Sequence, residues 1–315
     1  MPTPDTDAAL ADDARFDDAL KRVSHEAGML LGLEAVRAEQ AYHRRRHTRH
    51  AYWLHGSGTV AGLRVSLRAD DPAGDADRDM EVRIVVSPGI AIDGLGREAN
   101  VDQPYGIDLR AWLTARRSEP ERWAALIRDA HDPVDNTLRL DVTLRYRDVA
   151  SGLQPVMAEA VNAGTDPVQP ARLTDAVLLE LVPAGRADAR GPDNQFAAHR
   201  QVPAWDAVAG LFSDAERQSV TDATGAERRR RELGARLLHA LADDNQALAT
   251  RRATTTGADE LARTLLARLV IQLSPPDAAA DNAPGLVINP LRMALDNLAR
   301  PFVFSATALA HLLGD

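Results

Sequence analysis

The spacing of apolar residues along this chain switches between two periods. From Leu33 to Leu54, Val36, Gln40, His43, His47, His50 and Leu54 recur every three or four residues, as along one face of a helix. Gly56 and Gly58 are positioned to end that helix. Before it, Phe16, Leu20, Val23, Met29 and Leu30 predict a shorter helix in a segment 14–32, and the acidic residues 1–13 read as a disordered tail. After the glycines the period shortens to two. Strands are predicted over Thr59–Arg68 and Met80–Val86, joined by a polar hairpin loop at Asp70–Asp79. Ser87-Pro88-Gly89 reads as a turn, and Ile90–Ile92 leads into the turn Asp93-Gly94-Leu95-Gly96-Arg97.

Helical spacing returns over Leu109–Ala130, where Trp112, Leu113, Trp123, Leu126 and Ile127 share a face. Asn136–Val149 then alternates Leu138, Leu140, Val142, Leu144 and Tyr146 with Arg139, Asp141, Thr143, Arg145 and Arg147, the cleanest strand signal in the chain. A loop is expected over Gly152–Arg172, and a further strand or short apolar segment over Leu173–Val182. Residues 184–203, rich in Pro, Gly, Asp and Asn, read as a linker. Leucine spacing beyond it predicts helices over Ala226–Asp243, Asp259–Leu273 and Leu291–Leu313, with a flexible stretch at 277–285. The expected fold is therefore α+β. N-terminal helices precede an antiparallel β-sandwich or barrel module with an inserted helix (33–183), and a helical domain (204–315) follows.

Composition narrows the function classes. The chain has no cysteine, which removes disulfides, thiolate zinc sites, iron–sulfur clusters and cysteine nucleophiles. A net charge of −9 and only 4% aromatic residues argue against nucleic acid as a partner. The acidic N-terminus lacks the order of a secretory signal, and the longest apolar runs are too short to span a bilayer. A cytoplasmic protein without a membrane span is expected.

Candidate chemistry centres on the first long helix. Glu39, His43, His47 and His50 fall on one face, and two histidines at i, i+4 beside a carboxylate can ligate zinc. A metal-dependent hydrolase using Glu39, His43 and His47 is thus one reading. Against it, Arg44 stands where HExxH requires glutamate, and Arg45, Arg46 and Arg49 crowd the same turns. The preferred reading is a docking face packed on a neighbouring element, with no cofactor. His43, Arg44, His47 and His50 on this helix, with Arg228 and Arg231 on a C-terminal helix, are the candidate contact residues. Gly56-Ser57-Gly58 runs from helix to strand without a following lysine, unlike a phosphate loop, and no G-x-S-x-G elbow frames Ser57. Asp93 with Glu98, or Asp132 with Asp135, has the makings of an acid–base pair, but turn formation and capping account for these residues better. His55, Gly56, Gly58, Pro88, Gly89, Asp93, Gly94 and Gly96 read as turn and joint residues.

The runs RAEQAYHRRRHTRHAYWLHGSGTVAGLRV, VSPGIAIDGLGRE and LRYRDVASGLQPV resemble a bacterial family. Its members place HGxGxVxGLxV after a helix, then SPGxAIDxxGRE, then a Tyr-Arg strand. His55, Gly56, Gly58, Val60, Gly62, Leu63, Pro88, Gly89, Asp93, Gly96 and Arg97 carry the resemblance, which covers residues 37–183. Ser57 and Ala61 depart from the pattern, standing where an aromatic and a cysteine are common. The family is associated with gene clusters for phage-tail-like contractile injection systems. The resemblance implies a non-enzymatic baseplate, fibre or cap component that is incorporated into such a particle. It would be a homo-oligomer whose partners are the particle's other subunits. A soluble adaptor is the neighbouring alternative.

Overall fold

The computed structural model describes residues 19–69, 79–155, 168–184, 213–225, 227–229, 232, 258–276, 284–285 and 288–303. The tail at 1–13, residues 14–18, Arg231, nearly all of the 184–203 linker, most of 277–285 and residues 304–313 lie outside them, as does most of the helix expected at Ala226–Asp243, of which 227–229 and 232 are described and helical. Among the described residues helices and antiparallel strands mix, so the fold is α+β.

Helix α1 spans Leu33–His55 and ends where Gly56, at φ +74°, returns its N–H to the Tyr52 carbonyl. No helix precedes it within 19–32, where the chain makes only one turn; Met29, Leu30 and Leu31 are exposed there, so too little apolar surface is buried to hold a short helix. The stretch expected as one strand at 59–68 is two, β1 (Gly58–Gly62) and β2 (Val65–Ala69). Gly62 (φ +64°) and Leu63 (φ +54°) turn the chain out of one sheet and into the next.

β3 (Val82–Val86), β4 (Gly89–Ile92), β5 (Glu98–Val101) and β6 (Tyr105–Asp108) follow. One three-stranded sheet runs β1-β4-β5 and another β2-β3-β6. The predicted helix at 109–130 is broken into α2 (Leu109–Arg117) and α3 (Pro120–Ala130), because Pro120 cannot continue a helix but suits the first turn of a new one. The Asp108 carboxylate caps α2 through Ala111 N–H.

α3 runs into β7 (His131–Asp132), and then come two long strands, β8 (Thr137–Pro155) and β9 (Val168–Pro183). Their pairing continues past the predicted loop, from Leu140↔Pro183 to Pro155↔Val168, so only residues between 155 and 168 join them. Leu138, Leu140, Val142 and Leu144 are fully buried on one face of β8. Burial of leucine-sized side chains contributes about 1.5–3 kcal/mol each. Arg139, Asp141 and Thr143, on the other face, are buried as well.

The C-terminal reading is corrected. After α4 (Asp214–Asp222) and α5 (Ala258–Leu261), the segment expected as a helix at 259–273 is β10 (Arg263–Gln272), paired with β8 on the edge opposite β9. Residues 288–303 form short 3-10 turns around β13 (Met293–Asp296) instead of a helix, while β11 (Ser274–Pro276) and β12 (Pro284–Gly285) make a small ribbon. The main sheet is ordered β13-β10-β8-β7, with β9 also on β8, and among the described residues no sheet closes into a barrel.

Residues 258–303 are also tied to the N-terminal sheets. Thr59 exchanges backbone hydrogen bonds with Pro301 and Val303 (both 2.9 Å). The Asn297 side chain donates to Val65 O (3.0 Å) and accepts from Val65 N–H (2.9 Å), in the manner of a strand partner. A single core links Leu63, Ile84, Leu113, Leu126, Leu140 and Leu269.

Candidate functional site

The five-residue turn after β4 is organised by one buried carboxylate. Asp93 Oδ1 accepts from Leu95 N–H and Arg97 N–H, and Oδ2 accepts from Arg97 Nε, at 2.8–2.9 Å. Arg97 Nη2 reaches the same Oδ2 at 2.8 Å but lacks the alignment of a hydrogen bond, so the pair is held mainly through Nε. Burial raises the Asp93 carboxyl above its ordinary range, against the opposing charge and donors of Arg97. Glu98, the partner considered for acid–base work, is exposed on β5. Asp132 and Asp135 are both spent on Arg139 Nη2, each at 3.0 Å.

Glycines set the close approaches. Gly96 sits at φ +78° with the Thr48 carbonyl of α1 where a Cβ would project, so the helix rests directly on the turn. Gly62 and Gly89 face each other in the β1–β4 register with the same exclusion of a Cβ. Gly94 and Gly89 do not have positive φ; backbone proximity, to Leu261 and to β1 respectively, accounts for both. Pro88 is exposed, and its carbonyl accepts from Leu63 N–H.

Above the turn, the Arg97 guanidinium stacks on the Tyr146 ring, 5.2 Å from its centroid. The Tyr146 hydroxyl faces Asp148 Oδ1 (2.7 Å) and Asp175 Oδ1 (2.8 Å), which oppose each other in register across β8 and β9. Burial and then these two carboxylates push the phenol pKa up, so Tyr146 acts as a hydrogen donor. Arg44, His47, Thr48, Arg97, Tyr146 and Asp175 border a cleft of about 530 Å³. A second cavity of about 530 Å³ lies between α2–α3 and β9, with Trp112, Arg116, Glu180 and Arg263 among its walls.

The cleft gathers two of the predicted contact residues, Arg44 and His47, with Arg97 of the GRE motif. His43 and His50 are not brought there. His43 Nε2 lies 3.1 Å from Glu39 Oε1, while Glu39 Oε2 lies 3.5 Å from His25 Nε2. His50 contacts the ring of His55, and both are exposed. The Glu39/His43/His47 set is therefore only half assembled, and no group of three or more metal-ligating side chains occurs among the described residues. Arg228 is exposed and outside the cleft's lining.

The expected packed face is also corrected. Gln40, His43, His47, His50 and Leu54 point to solvent, and α1 instead turns Tyr42, Arg45, Thr48, Arg49 and Tyr52 inward. Sequence reasoning missed Thr48, Asp148 and Asp175, whose roles depend on pairing distant in sequence. The one available signal was Tyr146, an aromatic at the end of an otherwise aliphatic face. No protein-family model matches the chain, and no curated protein matches it. No helix among the described residues is long and apolar enough to cross a membrane.

Proposed function

We propose that this protein is a structural component of a phage-tail-like contractile injection particle, joining baseplate, fibre or cap through protein–protein contacts. The observation that carries the reading is how the motif residues are used. Gly62, Gly89, Asp93, Gly96 and Arg97 hold backbone junctions between α1, the β1-β4-β5 sheet and the β8–β9 hairpin. These residues fix geometry, which is the use a scaffold would make of them. The hairpin adds a contact element: β8 beyond Arg145 loses β10 on one side, and the hairpin's distal half carries exposed Val149 and Leu153 on β8 and Leu173 on β9. Deleting the gene in a particle-producing host is expected to leave sheathed particles unassembled or unattached, and purified particles should contain the protein. Unchanged particles that lack it would overturn the proposal.

A further inference from the structure

The outward face of α1 has an order that its inward face lacks. Leu33, Val36, Gln40, His43, His47, His50 and Leu54 are separated by alternating steps of three and four, the a/d spacing of a coiled-coil seam. This seam runs the length of the helix, roughly 35 Å at 1.5 Å per residue. Its apolar members are strongly exposed: Leu33 by 63%, Val36 by 50% and Leu54 by 67%. Thr48, buried against Gly96, and the half-buried Tyr42, Arg45, Arg49 and Tyr52 occupy b, c and f positions, on the opposite side of the helix. A seam of constant 3.5-residue period on an exposed helix face fits another helix of the same period.

Charge at the flanking positions selects the occupant and its direction. Glu39 falls at g, while Arg37 and Arg44 fall at e. In a parallel pair of identical helices, g of one copy meets the following e of the other, so Glu39 faces Arg44 twice and no like charges are opposed. An antiparallel pair gains Glu39 against Arg46 but sets Arg37 against Arg44. We propose that α1 associates in parallel with α1 of a second copy of this chain, through the Leu33–Leu54 seam. Leu33, Val36 and Leu54 supply apolar layers at the two ends. Gln40, His43, His47 and His50 form polar layers that fix register and keep the association weak. Because Arg44 and His47 also border the cleft, the second helix would lie along its mouth.

The absence of native cysteine makes the test direct. Only a parallel seam brings position 47 of one copy beside position 47 of the other, within disulfide reach. Under mild oxidation the full-length His47→Cys protein should form a disulfide-linked dimer about tenfold or more faster than Val134→Cys, since the seam raises the local thiol concentration. Val134 is a suitable control, 90% exposed in the turn before β8. Adding Val36→Glu and Leu54→Glu, both at exposed positions, should bring the rate down to that of the control while the circular dichroism spectrum stays unchanged. Sedimentation velocity of the unmodified protein should show a dimer that grows with concentration. Equal rates for the two single-cysteine proteins would overturn the proposal. So would cross-linking that survives the glutamate substitutions, or a dimer in which position 47 does not cross-link.

Discussion

Asp93 and Arg97 are buried together, and neither charge has another counterion within the turn. Taking a carboxylate out of water is costly unless its lone pairs are filled, and three N–H donors fill them here. Asp93→Asn keeps the shape but leaves the Arg97 guanidinium buried without its anion. The expected loss is about 3–5 kcal/mol of unfolding free energy, measured by urea denaturation. A loss below about 1 kcal/mol, the range of an exposed pair, would show that water reaches the turn. The Arg268–Asp141 fork, with contacts of 2.8 and 3.1 Å between β10 and β8, makes the same demand at the centre of the main sheet.

At the scale of elements, Gly96 decides how α1 meets the β module. Gly96→Ala forces a left-handed conformation at about 1–2 kcal/mol and pushes a methyl group into the Thr48 carbonyl. The expected result is lower stability together with a change in the emission of Trp53, which lies on α1. Unchanged emission with lower stability would mean that the turn yields and the helix stays seated. The elements that were legible in sequence are those whose apolar residues keep to one face. α1, β3 and the proximal part of β8 carry a single dominant period, and Asp93–Arg97 carries the turn chemistry of its residues. β10 was misread because every position from Thr264 to Leu269 is buried. Leu265, Leu266, Leu269 and Val270 satisfy a helical pattern as well as a strand buried on both faces. Arg268, which looks like a solvent-facing helical residue, is tolerated only because Asp141 meets it across the sheet. The direction of the histidine face of α1 was likewise hidden. Period fixes which residues share a face, whereas the packing partner, here the turn at Gly96, determines which face points inward.

At the scale of the whole molecule, the described residues of 258–303 are structural members of the β module. β10 completes the centre of the main sheet, Asn297 fills an edge of β2, and residues 301–303 extend the β1-β4-β5 sheet. Contacts of this sequence separation are made only after long loops close, so the module can be complete only when residues 258–303 are in place. A chain ending before Ala258 would expose the β8 edge that β10 covers, along Leu138–Leu144, as an unpaired apolar template. Its expected behaviour is aggregation, with loss of the cooperative thermal transition followed by circular dichroism. A truncated chain that stays soluble and unfolds cooperatively at the full-length midpoint would show that β10 is an accessory strand. The distal β8–β9 hairpin is joined to β10 through β8 and to α1 through Arg97 and Gly96, so the two proposed contact elements share one packed core.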